Sequence, residues 1–215
     1  TPSEIVEQVF VARHTLGVDI RNVVFMGMGE PLDNLDNVVQ AVRVLGDQRG
    51  MDIARRHITV STVGLIDGIE RLACFDGGPL NLAVSLNAPD DLVRSRLMPI
   101  NRIHPMAALK HALQRYPLAK KSSLFLEYVL IEGVNDQPTH ARALARYLSE
   151  LPVKVNLIPF NPAPGSEWRP PSEAAFAHFR DLLERDHIFV RRRHRKGGRI
   201  MAACGQLGGR PSRPA

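Results

Sequence analysis

Asn22-Val23-Val24-Phe25-Met26, stopped by Gly27 and followed by Met28-Gly29-Glu30-Pro31, is the stretch on which the fold turns. Four consecutive β-branched or apolar residues, Val23 to Met26, without polar alternation read as a short strand buried on both faces. Both flanks read as helix. Upstream, Thr1-Pro2-Ser3-Glu4 combines an N-cap, a proline at the first helical position and a capping-box glutamate, and Ile5, Val6, Val9, Phe10 and Leu16 follow near helical spacing to about Gly17. Downstream, Leu35, Val38, Val39, Val42 and Leu45 restore that period from Asn34, and Gly46 closes it.

The alternation continues to the end of the chain. Strands are predicted over residues 57–61, 80–86, 124–131, 153–159 and 187–191, and helices over 66–73, 106–116, 139–151 and 173–186. Strands alternating with helices of this length imply right-handed βαβ units and a parallel sheet covered by helices. The fold class expected is α/β, an open or partial parallel (β/α) barrel over residues 1–207, with 208–215 a disordered basic tail. Only 169–172 and the stretch after Arg191 read as long loops, and no internal repeat is present.

Composition narrows the function. The 215 residues are 44% hydrophobic and 23% charged, ordinary for a globular domain and unlike collagen, mucin or a disordered chain. A formal charge of +6 favours a polyanionic partner. No apolar run approaches the roughly 18 residues a membrane helix needs, and Thr1-Pro2-Ser3-Glu4 is no signal peptide, so a cytoplasmic protein without membrane contact is expected. Two cysteines, Cys74 and Cys204, are too few for a disulfide framework or a four-ligand metal site, and no metal ligand is expected within these residues.

Ligands of parallel α/β folds bind at the carboxyl ends of strands. The residues there are distinctive: Gly27, Gly29 and Glu30 after the first strand; Ser61, Thr62 and Gly64 after the second; Ser85, Asn87 and Pro89 after the third; Asn161, Pro162, Pro164 and Gly165 after the strand ending at Pro159. Each alone has a turn or cap explanation. Their convergence on one rim, where turn chemistry alone would scatter them over both, supports a binding site.

Arg191-Arg192-Arg193-His194-Arg195-Lys196 reads either as a solvated face or as a phosphate-contacting run, without an aromatic platform for stacking. Behind it, Met201-Ala202-Ala203-Cys204-Gly205-Gln206-Leu207 sets a cysteine among small residues, where the neighbouring cations favour its thiolate; a buried, inert thiol is the alternative. Cys74, beside Leu72 and Ala73, reads as packing.

In order along the chain, Phe25-Met26-Gly27-Met28-Gly29-Glu30-Pro31, Thr59-Val60-Ser61-Thr62, Ala83-Val84-Ser85-Leu86-Asn87-Ala88, Pro99-Ile100-Asn101, Asn156-Leu157-Ile158-Pro159-Phe160-Asn161-Pro162 and Ala202-Ala203-Cys204-Gly205-Gln206-Leu207 resemble the radical S-adenosylmethionine RNA methyltransferases that methylate adenosine at C2. The likeness runs from about Pro2 to Leu207. It is strongest to the dual-specificity class acting on adenosine 2503 of 23S rRNA and adenosine 37 of some tRNAs. The resemblance implies that Gly29 and Glu30 hold the amino group of S-adenosylmethionine, with Ser61, Ser85, Leu86, Asn87 and Asn161 completing its pocket. It implies that Cys204 is methylated by one S-adenosylmethionine. A second, cleaved reductively at a 4Fe-4S cluster fed by a one-electron reductant, would yield the radical that activates that methyl group for addition to the unreactive adenine carbon. A monomer is expected.

Departures qualify the likeness. The CxxxCxxC loop that would leave one cluster iron open is absent from the sequence, as are the family's catalytic glutamate and the cysteine that resolves Cys204. The chain is therefore expected to be the carboxyl-terminal part of a longer protein, inactive alone, with the first barrel strand and the cluster ligands upstream. Asn87 stands where many members carry histidine, and Arg199-Ile200-Met201 replaces a more acidic stretch. The competing readings are a C8-methylating sibling, a non-catalytic RNA-binding relative, and an aldolase-like barrel. Lys154 speaks against the last, since it begins a strand, at the wrong end for a Schiff base.

Overall fold

A computed structural model describes residues 1–27, 29–163 and 165–193. Six strands, β1 (Val23–Phe25), β2 (Ile58–Thr62), β3 (Asn81–Ser85), β4 (Leu124–Leu130), β5 (Val153–Pro159) and β6 (Phe189–Arg192), form one sheet in sequential order. All neighbours are parallel. Because the order never reverses, right-handed crossovers all return on the same side of the sheet. The helices involved are α2 (Leu35–Leu45), α3 (Ile66–Ala73), α5 (Met106–Arg115), α6 (Pro138–Leu148) and α7 (Glu173–Arg185). The first and last strands are not paired, so the sheet is an open barrel, as expected.

Strand parity separates a dry face from a polar one. Ile58 and Val60, Leu82 and Val84, Leu124, Leu126, Tyr128 and Leu130, and Val155 and Leu157 are buried beneath the helices, with the Tyr128 ring 5.5 Å from that of Phe179 on α7. The alternate residues, among them Thr59, Ser61, Ser85, Glu127, Asn156 and Arg191, belong to the opposite face. Register sets Ser85 beside Glu127, Glu127 beside Asn156 and Asn156 beside Arg191, one polar row across four strands.

Two expectations need correction. The first strand is not buried on both faces: β1 pairs only with β2, and Val24 is 49% exposed. The stretch after β3, to which the sequence pattern assigns no element, holds α4 (Asp91–Leu97), capped by Asp90, whose side chain accepts from the Val93 N–H at 2.9 Å. Its one buried side chain is Arg94, so no apolar periodicity announces it. Cys74 is exposed at the end of α3 rather than packed. The opening helix, α1 (Pro2–Phe10), has the expected capping box and proceeds into a π-helical turn at Val11–Thr15, close to the expected end. Among the described residues no helix is long and apolar enough to cross a membrane. The proposed tail, 208–215, lies outside them.

Candidate functional site

The carboxyl ends of β1 to β5 gather most of the residues singled out by sequence. Gly29 has φ +93°, which a side chain would strain, and nothing lies within 4 Å of where a Cβ would stand at Gly27 or Gly29. The backbone therefore presents an open edge here. Glu30 caps a 3-10 turn at Pro31–Asn34: its Oε1 accepts from the Leu32 N–H at 3.0 Å, and its Oε2 accepts from the Val63 N–H beyond β2 at 2.8 Å. Two backbone donors from separate loops thus fix one carboxylate and leave further lone pairs free to accept a cation's protons.

Val63 is held from the other side as well. Its carbonyl accepts from Arg94 Nη2 at 2.6 Å, while Arg94 Nη1 donates to Asn101 Oδ1 at 2.9 Å and to the His104 carbonyl at 3.3 Å. Asn101 in turn donates to Asp91 Oδ1 at 2.9 Å. Burial pushes the Arg94 guanidinium below its ordinary pKa, and its Nε lacks a partner. The Pro99-Ile100-Asn101 motif therefore serves this loop rather than lining the rim.

Along β3 and β4 the roles divide. Ser61 is buried at the end of β2 and Ser85 ends β3. Leu86 is fully buried, and its N–H donates to the Glu127 carbonyl at 3.0 Å. Asn87 has φ +58°, a conformation asparagine tolerates, and its Oδ1 accepts from the Val129 N–H at 3.0 Å. Its side chain is thereby committed to β4, with Nδ2 3.4 Å from the Met98 sulfur. Past β5, Asn161 keeps a buried Nδ2 without a partner.

Glu127, Asn156 and Arg94 were missed by the sequence reading. Glu127 is only 4% exposed; its Oε1 accepts from Asn156 Nδ2 at 2.7 Å and lies 3.6 Å from Arg193 Nη1, while Oε2 is shielded and unpartnered. Burial raises its pKa, against the smaller opposing effects of Asn156 and Arg193. A lone carboxylate inside Leu124-Phe125-Leu126-Glu127-Tyr128 was the available clue. Phe160 and Trp168 meet edge to face at 6.0 Å beside Asn161.

The basic run is only partly free for phosphate. Arg192 pairs with both Glu173 oxygens, at 2.5 and 2.7 Å, and lies 4.4 Å from the Phe176 ring centroid. Arg193 faces Glu127, and Arg191 is exposed at the end of the polar row. Cys204, His194 to Lys196, Arg199 to Met201, Met28 and Pro164 lie outside the described residues. A cavity of about 440 Å³ sits at the other end of the sheet, lined by Ser149, Glu150, Asp186 and His187. It is remote from every rim residue. Lys154 is also remote, exposed near the amino end of β5 with its Nζ 5.8 Å from the Phe189 ring centroid.

An open parallel half-barrel with glycines, an anchored carboxylate and orphaned polar groups on one rim defines a class that the comparisons identify. The Radical SAM superfamily profile matches residues 1–144, and the chain belongs to that family. It is 44% identical over 217 residues to "Dual-specificity RNA methyltransferase RlmN" of Desulfotalea psychrophila, covering 96% of this chain and 59% of that protein. The same-named protein of Geobacter sulfurreducens is 47% identical over 210 residues, covering 98% and 57%. A crystal structure of a radical SAM methyltransferase from Sphaerobacter thermophilus superposes with TM-score 0.89 at 42% identity, over 96% of this chain and 61% of that one. A domain of pyruvate-formate lyase-activating enzyme from Bacteroides vulgatus, 19% identical with TM-score 0.59, shares the fold. The chain thus spans about three fifths of the curated relatives it matches.

Membership implies S-adenosylmethionine and a 4Fe-4S cluster. The residues fit the former: an anchored acceptor at Glu30, an open glycine edge, and polar atoms without partners at Asn161 and Glu127. They do not fit the latter. The 215 residues hold two cysteines where a cluster of this kind takes three thiolates, and among the described residues no group of three His, Cys, Asp or Glu side chains forms a metal site.

Proposed function

We propose that these residues form the S-adenosylmethionine-binding and RNA-facing part of an enzyme that methylates adenosine at C2, in 23S rRNA at position 2503 and in tRNA at position 37. The cluster ligands then come from outside the 215 residues. The observation that carries this reading is Glu30: a carboxylate held by two backbone N–H groups beside an open glycine edge, in a chain similar over nearly all its length to proteins named dual-specificity RNA methyltransferases.

Glu30 accepts from the ammonium of the ligand, and the peptide N–H groups of Leu32 and Val63 hold its geometry before binding, which lowers the ordering cost. Ser61, Ser85 and Asn161 supply polar contacts along the rim, whereas Leu86 and Asn87 act through the backbone they shape. S-adenosylmethionine, when bound, supplies a methyl group on a sulfonium sulfur and a one-electron route to an adenosyl radical. With that ligand bound, the Cys204 thiolate would be the acceptor of its methyl group, a carbon–sulfur bond forming at Cys204 as the sulfonium carbon–sulfur bond breaks, with S-adenosylhomocysteine as the leaving group. Exposed Arg191 contacts RNA phosphate, and the charge of the sequence after Arg193 adds to the attraction of a polyanion. Peptide mass spectrometry of the full protein after incubation with methyl-labelled S-adenosylmethionine tests this. A label on the Cys204 peptide is expected; a label on another residue, or none on Cys204, overturns the assignment.

A further inference from the structure

A buried carboxyl oxygen without a donor is rare in a folded protein and calls for a physical reason. Glu127 Oε2 is such an atom, at the centre of the polar row Ser85–Glu127–Asn156–Arg191. The side chain does not fill the dry core, since its neighbours Leu126 and Tyr128 occupy that face. Nor does packing alone explain it: Asn156 satisfies Oε1 and Arg193 stands nearest that same oxygen. Among the described residues one acceptor is left over, and the strand register sets Ser85 beside Glu127 on the adjacent strand.

Its distance from Glu30 limits what it can meet. Val63, whose N–H holds Glu30, is one residue past the Thr62–Val84 pair and so level with Ser85 and Glu127. Two strand spacings separate Val63 from Glu127, about 10 Å. In an amino-acid nucleoside joined through sulfur, eight bonds run from the ammonium nitrogen to a ribose hydroxyl oxygen, and at ordinary bond lengths they reach roughly 10 Å when extended. An ionised carboxylate only accepts, and a ribose hydroxyl donates while its own oxygen can accept from a serine.

Resting on the binding reading above, we infer that Glu127, positioned by Asn156, accepts a hydrogen bond from a ribose hydroxyl of the S-adenosyl ligand and makes the site selective for the intact ribose. Desolvation raises the pKa of this carboxyl in the free protein, and a hydroxyl donor would offset that penalty. Glu127 is then a binding residue on the polar face of the sheet, level with the rim position Ser85.

Calorimetric titration of the full protein with S-adenosylhomocysteine and its 2′-deoxy and 3′-deoxy analogues tests this without turnover. With the wild type, one deoxy analogue should bind about tenfold to a hundredfold more weakly, the range for a hydrogen bond to a charged group. Glu127→Gln should weaken the parent ligand by a similar factor while discriminating between parent and analogue several-fold less. Wild-type discrimination retained in Glu127→Gln refutes the inference. Because Gln preserves volume and one acceptor, folding is checked by thermal melting, and Asn156→Ala provides a second variant expected to blunt the same discrimination. If wild-type protein binds neither S-adenosylhomocysteine nor its analogues, the binding reading itself fails; if it binds all three equally, only the role of Glu127 does.

Discussion

Glu30→Ala separates the structural and ligand-binding roles of one carboxylate. The side chain caps the turn at Pro31–Asn34 through Leu32 and ties that turn to Val63 33 residues on. Losing a cap of this kind costs about 1 kcal/mol. The bond from Val63, to a charged acceptor at a half-buried position, is worth about 1.5 kcal/mol, the lower end for such bonds. The variant should therefore be about 2–3 kcal/mol less stable, which for a chain of this size lowers Tm by roughly 5–10 °C. The loss of the acceptor for the ligand ammonium should weaken S-adenosylhomocysteine binding a further tenfold to a hundredfold, measured on the fraction that remains folded. Urea unfolding gives the first number, through a lower midpoint at unchanged m, and calorimetry gives the second. Glu30→Gln should fall between, because its single carbonyl oxygen retains one strong backbone acceptor at most. Unchanged stability in Glu30→Ala would mean that the two backbone bonds contribute nothing, and unchanged affinity would remove Glu30 from the pocket.

Arg94→Leu leaves the Val63 and His104 carbonyls and the Asn101 side-chain oxygen without their buried donor, and should cost about 3–5 kcal/mol in urea unfolding; a loss under 1 kcal/mol would show that these loops hold without it. The pKa of Glu127 is raised by burial in the folded state, so the favourable contribution of its protonated form is complete below the unfolded value and declines as pH rises through the higher folded value. The stability of the wild type relative to Glu127→Gln should therefore fall on going upward from about pH 4.5, the reference carboxylate value, and a flat difference would contradict the direction of the shift. Arg191→Ala should reduce the salt slope of RNA binding by roughly one, whereas Arg192→Ala should leave it unchanged and lower stability by about 1 kcal/mol, because Arg192 is engaged by Glu173 and Phe176; equal slopes in both variants would refute that division. Cys204→Ala should abolish methylation with an unaltered melting curve.

How far the sequence could be read depended on which side chains were apolar. β4 and β5 were legible because alternate Leu and Val residues pack under helices, and α2 because its buried residues fall at helical spacing. α4 was invisible for the converse reason: its buried face is a guanidinium. Apolar content alone could not show that Val23–Phe25 lies at a sheet edge, since pairing is a tertiary property. At the site, glycines and strand-end polar residues marked the rim. They could not reveal that Asn87 would turn its amide onto Val129, which follows from its left-handed backbone, nor that Glu127 would be enclosed by a cross-strand neighbour 29 residues away. Of the basic run, the sequence showed the charge but not the carboxylates facing Arg192 and Arg193.

The central claim is tested most directly by nucleoside mass spectrometry of 23S rRNA and tRNA from unmodified cells. The RNA is incubated anaerobically with the full protein, S-adenosylmethionine and a reductant. The account predicts 2-methyladenosine, absent when Cys204 is replaced by alanine. Unmodified adenosine from an iron-loaded protein, or 8-methyladenosine in its place, would contradict it.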